Sequence, residues 1–417
     1  DEGDRAGMVR LIRSADLPPG PVEIHVSNGQ GPGGAYAGQR VTLAEGGTLP
    51  INFNAGRDSV VNVLGGEVLE NFEAYAAVVN VQGGSLSDAA AFAESEINIS
   101  GGAVDFLYAL DGADLNVTGG VINSIQTRDA AVVNLSGGQV ASLRAGHGAR
   151  TVWTGGAVAS VDVSGNEGLF EVHGVDFQVN GVAVAGLGVE GSSLQVDLGS
   201  GEILTGVLAD GTPLVLGSFD PRRGSGIDNG AMTLVRSAAP PALEPSVVEV
   251  DSEVAQFAVG LGQTLHLLEG GQLPMNFIAG RGSRVEMQGG VILPGFRSFD
   301  SQVVIRDGEV GASFMALRDT QLLVTGGQID AGLHLFAGAQ AAIRGGLVTD
   351  AVLIDEGAVV DLFGTSFLLS GQPLPGLNDP GDVVTISQRG FELLSAVLED
   401  GSELNWVLAP STSRDRP

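Results

Sequence analysis

A Gly-Gly pair recurring every 18 residues constrains this chain more than any other feature. The second glycine of the pair, or its remnant, falls at Gly47, Gly66, Gly84, Gly102, Gly120, Gly138, Gly156 and Gly174, and only the first step is 19 rather than 18. Aligned on the pair, five successive segments read SVVNVLGGEV, AVVNVQGGSL, SEINISGGAV, ADLNVTGGVI and AVVNLSGGQV. A fixed period of this size marks one coil of a solenoid. Within each segment the apolar residues stand two apart, as at Val61 and Val63, Val79 and Val81, or Ile97 and Ile99. That is the period of a strand with one buried face. The glycines then turn a corner, where positive φ or close backbone approach excludes a Cβ. An apolar residue two positions on (Val68, Leu86, Val104, Ile122, Val140, Val158) opens the next strand. Eight such coils spaced at about 4.8 Å would make a stack roughly 38 Å long.

Eighteen residues also fit three hexapeptides of a left-handed β-helix, which needs an apolar residue every six. From Ile99 the next two corners fall on Asp105 and Asp111, and from Val81 on Ser87 and Ala93. The hexapeptide pattern fails, so a right-handed coil is expected. A coarser repeat overlies the fine one. Residues 38–72 match 262–296 without a gap, GQRVTLAEGGTLPINFNAGRDSVVNVLGG answering GQTLHLLEGGQLPMNFIAGRGSRVEMQGG. IRSAD at 12–16 answers VRSAA at 235–239, and LTGVLADGT at 204–212 answers LSAVLEDGS at 394–402. The second copy turns its corners at Gly271, Gly290, Gly308, Gly327, Gly346 and Gly364.

The expected fold is therefore all-β: two tandem right-handed parallel β-helix modules with coils of about 18 residues, each followed by a β-rich cap. Module 1 spans 1–225, with about eight coils and a cap at 174–225; module 2 spans 226–417, with about six coils and a cap at 364–417. In both caps the 18-residue period stops, a phenylalanine (Phe177, Phe367) comes early, and an Asp-Gly turn (Asp210-Gly211, Asp400-Gly401) separates apolar runs. That is a hairpin signal. Solenoid ends expose apolar core and unpaired edges, so terminal units must differ from internal ones. FDPRRGSGIDNG at 219–230 lacks strand patterning and marks the module boundary.

Composition narrows the function classes. A chain of 417 residues that is 43% hydrophobic supplies a sizeable core, and 65 glycines with only 17 prolines and no triplet period point to many tight turns. The net charge is −29 and all 20 basic residues are arginine, so a phosphate backbone would be repelled and nucleic acid is not an expected partner. Cysteine is absent, which removes disulfides, thiol catalysis and Cys-based zinc sites. No apolar run approaches the roughly 20 residues of a transmembrane helix. The start at Asp1, without Met or a signal-peptide core, reads as a processed or engineered terminus. An acidic, Cys-free chain of small and β-branched residues suits an extracellular or cell-surface bacterial protein.

On its coil pattern, most of the chain resembles the right-handed parallel β-helix proteins of the pectin-lyase-like superfamily. The resemblance implies an extracellular protein that binds or cleaves acidic polysaccharide, or serves as an adhesin or phage tail component. No single active-site motif carries it over. Gly146-His147-Gly148 is similar to one polygalacturonase motif, but no paired-Asp motif accompanies it and no lysine is present.

Two sets of residues stand out from the repeat. Asn62, Asn80, Asn98, Asn116 and Asn134 recur one per coil. Stacked asparagines hydrogen-bond along a solenoid axis, so a structural ladder is expected. The alternative is an outward grid with Ser100, Thr118, Ser136 and Thr154, as in ice-binding β-helices, against which stand Glu96 and Asp114 on the same strands. Asn98, Asn116 and Asn134 also form glycosylation sequons as a by-product of the repeat.

The second set places Tyr108, Gln126, Arg144 and Asp162 in one outward file, with Asp111, Asp129 and His147 in a neighbouring file and Arg128 beside them. Such a face offers Arg for carboxylates, Tyr for sugar stacking and Asp for hydroxyls, the needs of a polysaccharide site. Were it a lyase, Arg128 or Arg144 would neutralise a uronate and His147 or Tyr108 would abstract the proton. Asp111 and Asp129 allow for Ca²⁺, although two carboxylates do not specify it, and no metal site is otherwise expected. His25, His173, His266 and His334 read as structural. Arg57 and Arg281, each within an NFxAGR segment, read as a buried ion pair at the first coil of each copy. Trp153 reads as core, and Trp406 falls in the last cap.

The leading expectation is an extracellular repeat protein that binds polysaccharide or self-associates into a surface or adhesive structure. The alternative is a polysaccharide lyase, and ice binding ranks third.

Overall fold

The structure, a computed structural model, describes residues 22–163, 168–199, 202–217, 232–240, 245–252, 255–330, 332–349, 352–386 and 392–408. Among these the chain is all-β and winds as a right-handed parallel β-solenoid. Asp1 and the expected boundary at 225/226 lie outside the described residues.

Each coil has three sides. Side one carries the Val-Val-Asn-Val segments, which pair parallel and without register shift from Val60 to Val78 to Glu96 to Asp114. Side two is the short run after the Gly pair, Glu67–Val68 followed by Ser85 and Ala103 in register. Side three runs from Phe72–Tyr75 through Ala89, Leu107, Ile125 and Leu143. The inward residues Val61, Val79, Ile97, Leu115 and Val133 are at most 1% exposed. Stacked apolar columns of this kind supply most of the folding free energy, at about 25 cal/mol per Å² of apolar surface buried.

The two glycines of each pair answer overlapping demands. A Cβ at Gly101, Gly119 or Gly137 would strike a carbonyl of the coil below, at Gln82, Ser100 or Thr118 respectively. Gly102, Gly120 and Gly138 face the same close backbone and in addition hold φ of +78°, +82° and +80°, a region that L side chains rarely adopt.

The coil count exceeds the glycine count by one in each stack. Glu23–Val26 pairs with Arg40–Leu43 before the first Gly pair, giving nine levels on side one through Leu169–Val172. Seven levels run from Ser246–Val250 to Val359–Leu362. Trp153 takes the place of Leu135 one level up, 2% exposed, its indole N–H donating to the Gly156 carbonyl at 3.2 Å.

Each stack ends in an antiparallel hairpin, Ile203–Leu208 with Pro213–Gly217 and Glu392–Leu398 with Glu403–Leu408. The turn aspartates lock the hairpins to the last complete Gly-Gly pair of each stack. Asp210 accepts from the Gly156 N–H at 2.8 Å, and Asp400 from the Gly346 N–H at 2.8 Å. Met232–Arg236 closes the first cap, parallel to Phe170–Gly174 and antiparallel to Ser193–Val196, although it lies beyond the expected boundary in sequence.

The apolar core falls into one cluster from Val26 to Leu234, a second from Val250 to Trp406, and a small third that joins the stacks through Ala157, Ile203, Val215, Ile278, Phe299 and Leu317. The second stack packs beside the end of the first. Gln256 and Ala258 sit near Val121 and Ala157, while Arg318 reaches the cap at Gly181.

Candidate functional site

The asparagine column is a hydrogen-bonded ladder. Asn80, Asn98, Asn116 and Asn134 each donate from Nδ2 to the Oδ1 of the asparagine one coil below, at 3.0, 3.1, 2.9 and 2.9 Å. The hydroxyls of Thr118, Ser136 and Thr154 donate to backbone carbonyls of the preceding coil at 3.3–3.4 Å. Asn62 starts the ladder above Thr42, and Val152 ends it above Asn134.

Tyr108, Gln126, Arg144 and Asp162 occupy successive register positions on side three. Arg144 Nε donates to Asp162 Oδ2 at 2.9 Å, so this guanidinium is engaged within its own file. Asp111, Asp129 and His147 lie in the stacked turns that follow side three. Asp111 and Asp129 take φ of +51° and +55°, a conformation aspartate tolerates better than most residues. The turns are bonded to each other through the backbone, Gly112 N–H to Asp129 O at 2.9 Å and Asp129 N–H to His147 O at 3.0 Å. Arg128 and Asp129 are exposed and Tyr108 and Gln126 half-buried. Among the described residues, no group of three or more His, Asp or Glu converges as a metal site would require.

A concave surface lies elsewhere, between the first cap and side three of the second stack. It is a cleft of about 290 Å³. Phe299, Leu317 and Phe336 give it an apolar wall, and Asp176, Gln178, Asn180 and Thr205 a polar one. Arg281 bridges the two, bonded to Asp176 of the cap and to Asp300 at 2.8 Å. Arg318 donates to the Gly181 carbonyl at 3.1 Å and pairs with Asp319 at 3.0 Å. At the rim His334 stacks on Phe336, ring centroids 3.8 Å apart, and its Nε2 lies 3.1 Å from Asp355.

Beside the cleft Arg297 is 5% exposed and ties the stacks together, donating to Ala159 O at 3.0 Å, to Asn276 O at 2.9 Å and more weakly to Val215 O. Burial lowers its pKa to about 10, so it remains a cation at neutral pH. The expected buried ion pair at the NFxAGR arginines takes a different form. Arg57 is exposed, and Arg281, 42% exposed, makes its pairs on the cleft wall.

The same file of side three differs between the stacks in a telling way. Where the cap covers it, in the second stack, it reads Ile278, Arg297, Met315, His334, with Phe299 and Leu317 alongside; where it is open, in the first, it reads Asn54, Glu73, Ala90, Tyr108, with Tyr75 and Phe92 alongside. This contrast is the sequence signal that locates the cleft.

Fold and site together define a right-handed parallel β-solenoid with Gly-Gly corners, a half-length asparagine ladder and a cleft between two side-by-side stacks. No protein-family model, curated protein or solved structure matches the chain.

Proposed function

We propose that the chain is a tandem pair of β-helix modules that acts outside the cell by binding a polysaccharide in the cleft between its stacks, without cleaving it. The observation that carries this reading is the pairing of an apolar wall, Phe299, Leu317 and Phe336, with a wall of hydroxyl-bonding groups, Asp176, Gln178, Asn180 and Thr205. A sugar ring presents one C–H face and a rim of hydroxyls, and carboxylates and amides satisfy that rim. Asp176, Asp300 and Asp355 outnumber Arg281 and Arg318 on the lining, and the chain carries a net charge of −29, which favours a neutral glycan over a polyanion. Against Arg144 as the neutralising group of a lyase weighs its pair with Asp162, because β-elimination needs an arginine available to the substrate carboxylate, which leaves the exposed Arg128 to fill that role.

A glycan array on the full chain, followed by calorimetry on the retained oligosaccharides, tests the proposal. Neutral glycans are expected to bind, and Phe336→Ala to weaken them about tenfold, the equivalent of about 1.4 kcal/mol. If Phe336→Ala binds as wild type while Tyr108→Ala or Arg144→Ala abolishes binding, the first-stack file is the site and the cleft is not. Ultraviolet-absorbing unsaturated products from any uronate polymer would overturn the non-catalytic reading.

A further inference from the structure

The charged side chains that line the cleft are engaged with one another or with close neighbours. Asp176 and Asp300 both bond Arg281, Arg318 pairs with Asp319, and Asp355 lies against His334. A uronate carboxylate or a free amine entering the cleft would have to break one of these contacts to gain a counter-charge.

Neutral polar groups of the cap are left over. Gln178 and Thr205 stand opposite each other on two antiparallel strands, and both line the cleft. Among the described residues neither the Gln178 carboxamide nor the Thr205 hydroxyl makes a side-chain hydrogen bond. Asn180 Oδ1 accepts from the Ile203 N–H at 2.9 Å, which leaves its Nδ2 as a donor. The strand register shifts between Val175 and Gln178, where Asp176 takes φ of +55°. A bulge of this kind re-aims the side chains beside it.

The second cap shows that the fold does not demand these groups. Its strands pair in the same way with Leu368 opposite Ser395, and Ser370 stands at φ of +49° where the first cap has Asn180 at +49°. Leucine serves where the first cap has Gln178, so the carboxamide is not a structural requirement of the hairpin. What the groups complement is another amide. A carboxamide carrying donor and acceptor side by side, a hydroxyl able to act as either and the Asn180 N–H match the N–H and C=O of an acetamido group. The apolar wall of Phe299, Leu317 and Phe336 offers its methyl a seat. A plain hydroxyl in its place would leave that wall bare and the Gln178 amide half used. The volume of about 290 Å³, at the low end for ligand sites, suits one substituted ring of a polymer.

We propose that the cleft selects an N-acetylated amino sugar, holding the acetamido group between the Gln178 carboxamide, the Thr205 hydroxyl and the apolar wall. This inference rests on the reading of the cleft as a glycan site and names the substituent that the site recognises.

Calorimetry on the full chain with trisaccharides of the same linkage, built of N-acetylglucosamine, of glucosamine and of glucose, tests it. The N-acetylated trisaccharide is expected to bind about tenfold more tightly than either of the others. Gln178→Leu, which installs the residue the second cap carries, should erase that preference. Gln178→Glu can accept from an ammonium but cannot donate to an acetyl carbonyl, and should turn the preference toward glucosamine. Phe336→Ala should weaken every trisaccharide together. Melting curves that match wild type show that the variants are folded. Equal affinity of the wild type for the glucose and N-acetylglucosamine trisaccharides, both weakened by Phe336→Ala, would overturn this inference and leave the cleft standing as a glycan site. A preference that survives Gln178→Leu would overturn it too. Binding of no trisaccharide, together with an empty glycan array, would bring down the reading of the cleft itself.

Discussion

Replacing Asn98 by aspartate should harm the first stack far more than replacing it by valine. Asn98 sits mid-ladder: its Nδ2 donates to Asn80 Oδ1 at 3.1 Å and to Glu96 Oε1 at 2.9 Å, and it stands beneath the Asn116 Nδ2, which donates to it at 2.9 Å. Aspartate keeps the acceptor but loses both donations, about 1 kcal/mol each. It also sets a carboxylate against the Glu96 carboxylate, a repulsion of about 1 kcal/mol in a solvent-exposed setting. The total is about 3 kcal/mol. Valine loses the ladder bonds too, but the part-exposed amides left behind can turn to water and a β-branched residue suits the strand, so the net cost is about 1 kcal/mol. The second stack supports this, carrying Val304, Leu323 and Ala342 in the same column.

The two variants also differ in pH dependence. Glu96 raises the folded-state pKa of the new aspartate above its unfolded value of about 3.9, so the penalty is fully present above the raised pKa and fades as pH falls through it. Urea midpoints at neutral pH and at about pH 3.5 measure both effects. Indistinguishable midpoints at neutral pH, or a gap that persists in acid, would refute the reasoning.

Three further outcomes are expected. Gly137→Ala forces a Cβ into the Thr118 carbonyl and should cost about 3 kcal/mol, seen as a lowered melting temperature, whereas Ala substitution at the exposed Ser136 should be nearly silent. Asp400→Ala removes bonds to the Gly346 and Ser402 N–H groups and the Ser402 hydroxyl, and should destabilise the second cap by about 2 kcal/mol. In the wild type, desolvation raises the Asp400 pKa but the Ser402 and Gly346 hydrogen bonds outweigh it and lower it, so its contribution is present above the ordinary carboxylate range and lost as pH falls through the lowered value; midpoints of the Ala variant should lack that acid-side loss. Arg297→Ala deletes the side chain that reaches Ala159 and Val215 across the junction, and should enlarge the radius of gyration in solution scattering and weaken any ligand of the cleft, while the melting of the two stack cores themselves stays in place.

The coil was legible in the sequence because its determinants are local: inward pairs such as Val79 and Val81, and a Gly pair set by its own backbone and the coil beneath. The extra level at Glu23–Val26 was not, because Asn28-Gly29 replaces the Gly pair there. The alignment of Tyr108, Gln126, Arg144 and Asp162 followed from the period alone. The cleft was hidden because it joins residues such as Asp176 and Arg281, 105 positions apart, through the docking of one stack on another, which no period encodes. The stacking of Asp111 on Asp129 followed from the period, but their left-handed backbone, a second reason for aspartate at these turns, did not.

The unshifted register of side one gives the first stack a property that globular cores lack. Val78, Glu96, Asp114 and Val132 succeed one another at 18 residues, and sides two and three keep the same offset over those coils, so the structure is translationally invariant there. Excising a whole period there rejoins the chain between equivalent surroundings, and inserting one does the same. The stack therefore behaves as a ruler graduated in units of about 4.8 Å, whose length can be reset in whole coils without redesigning either end.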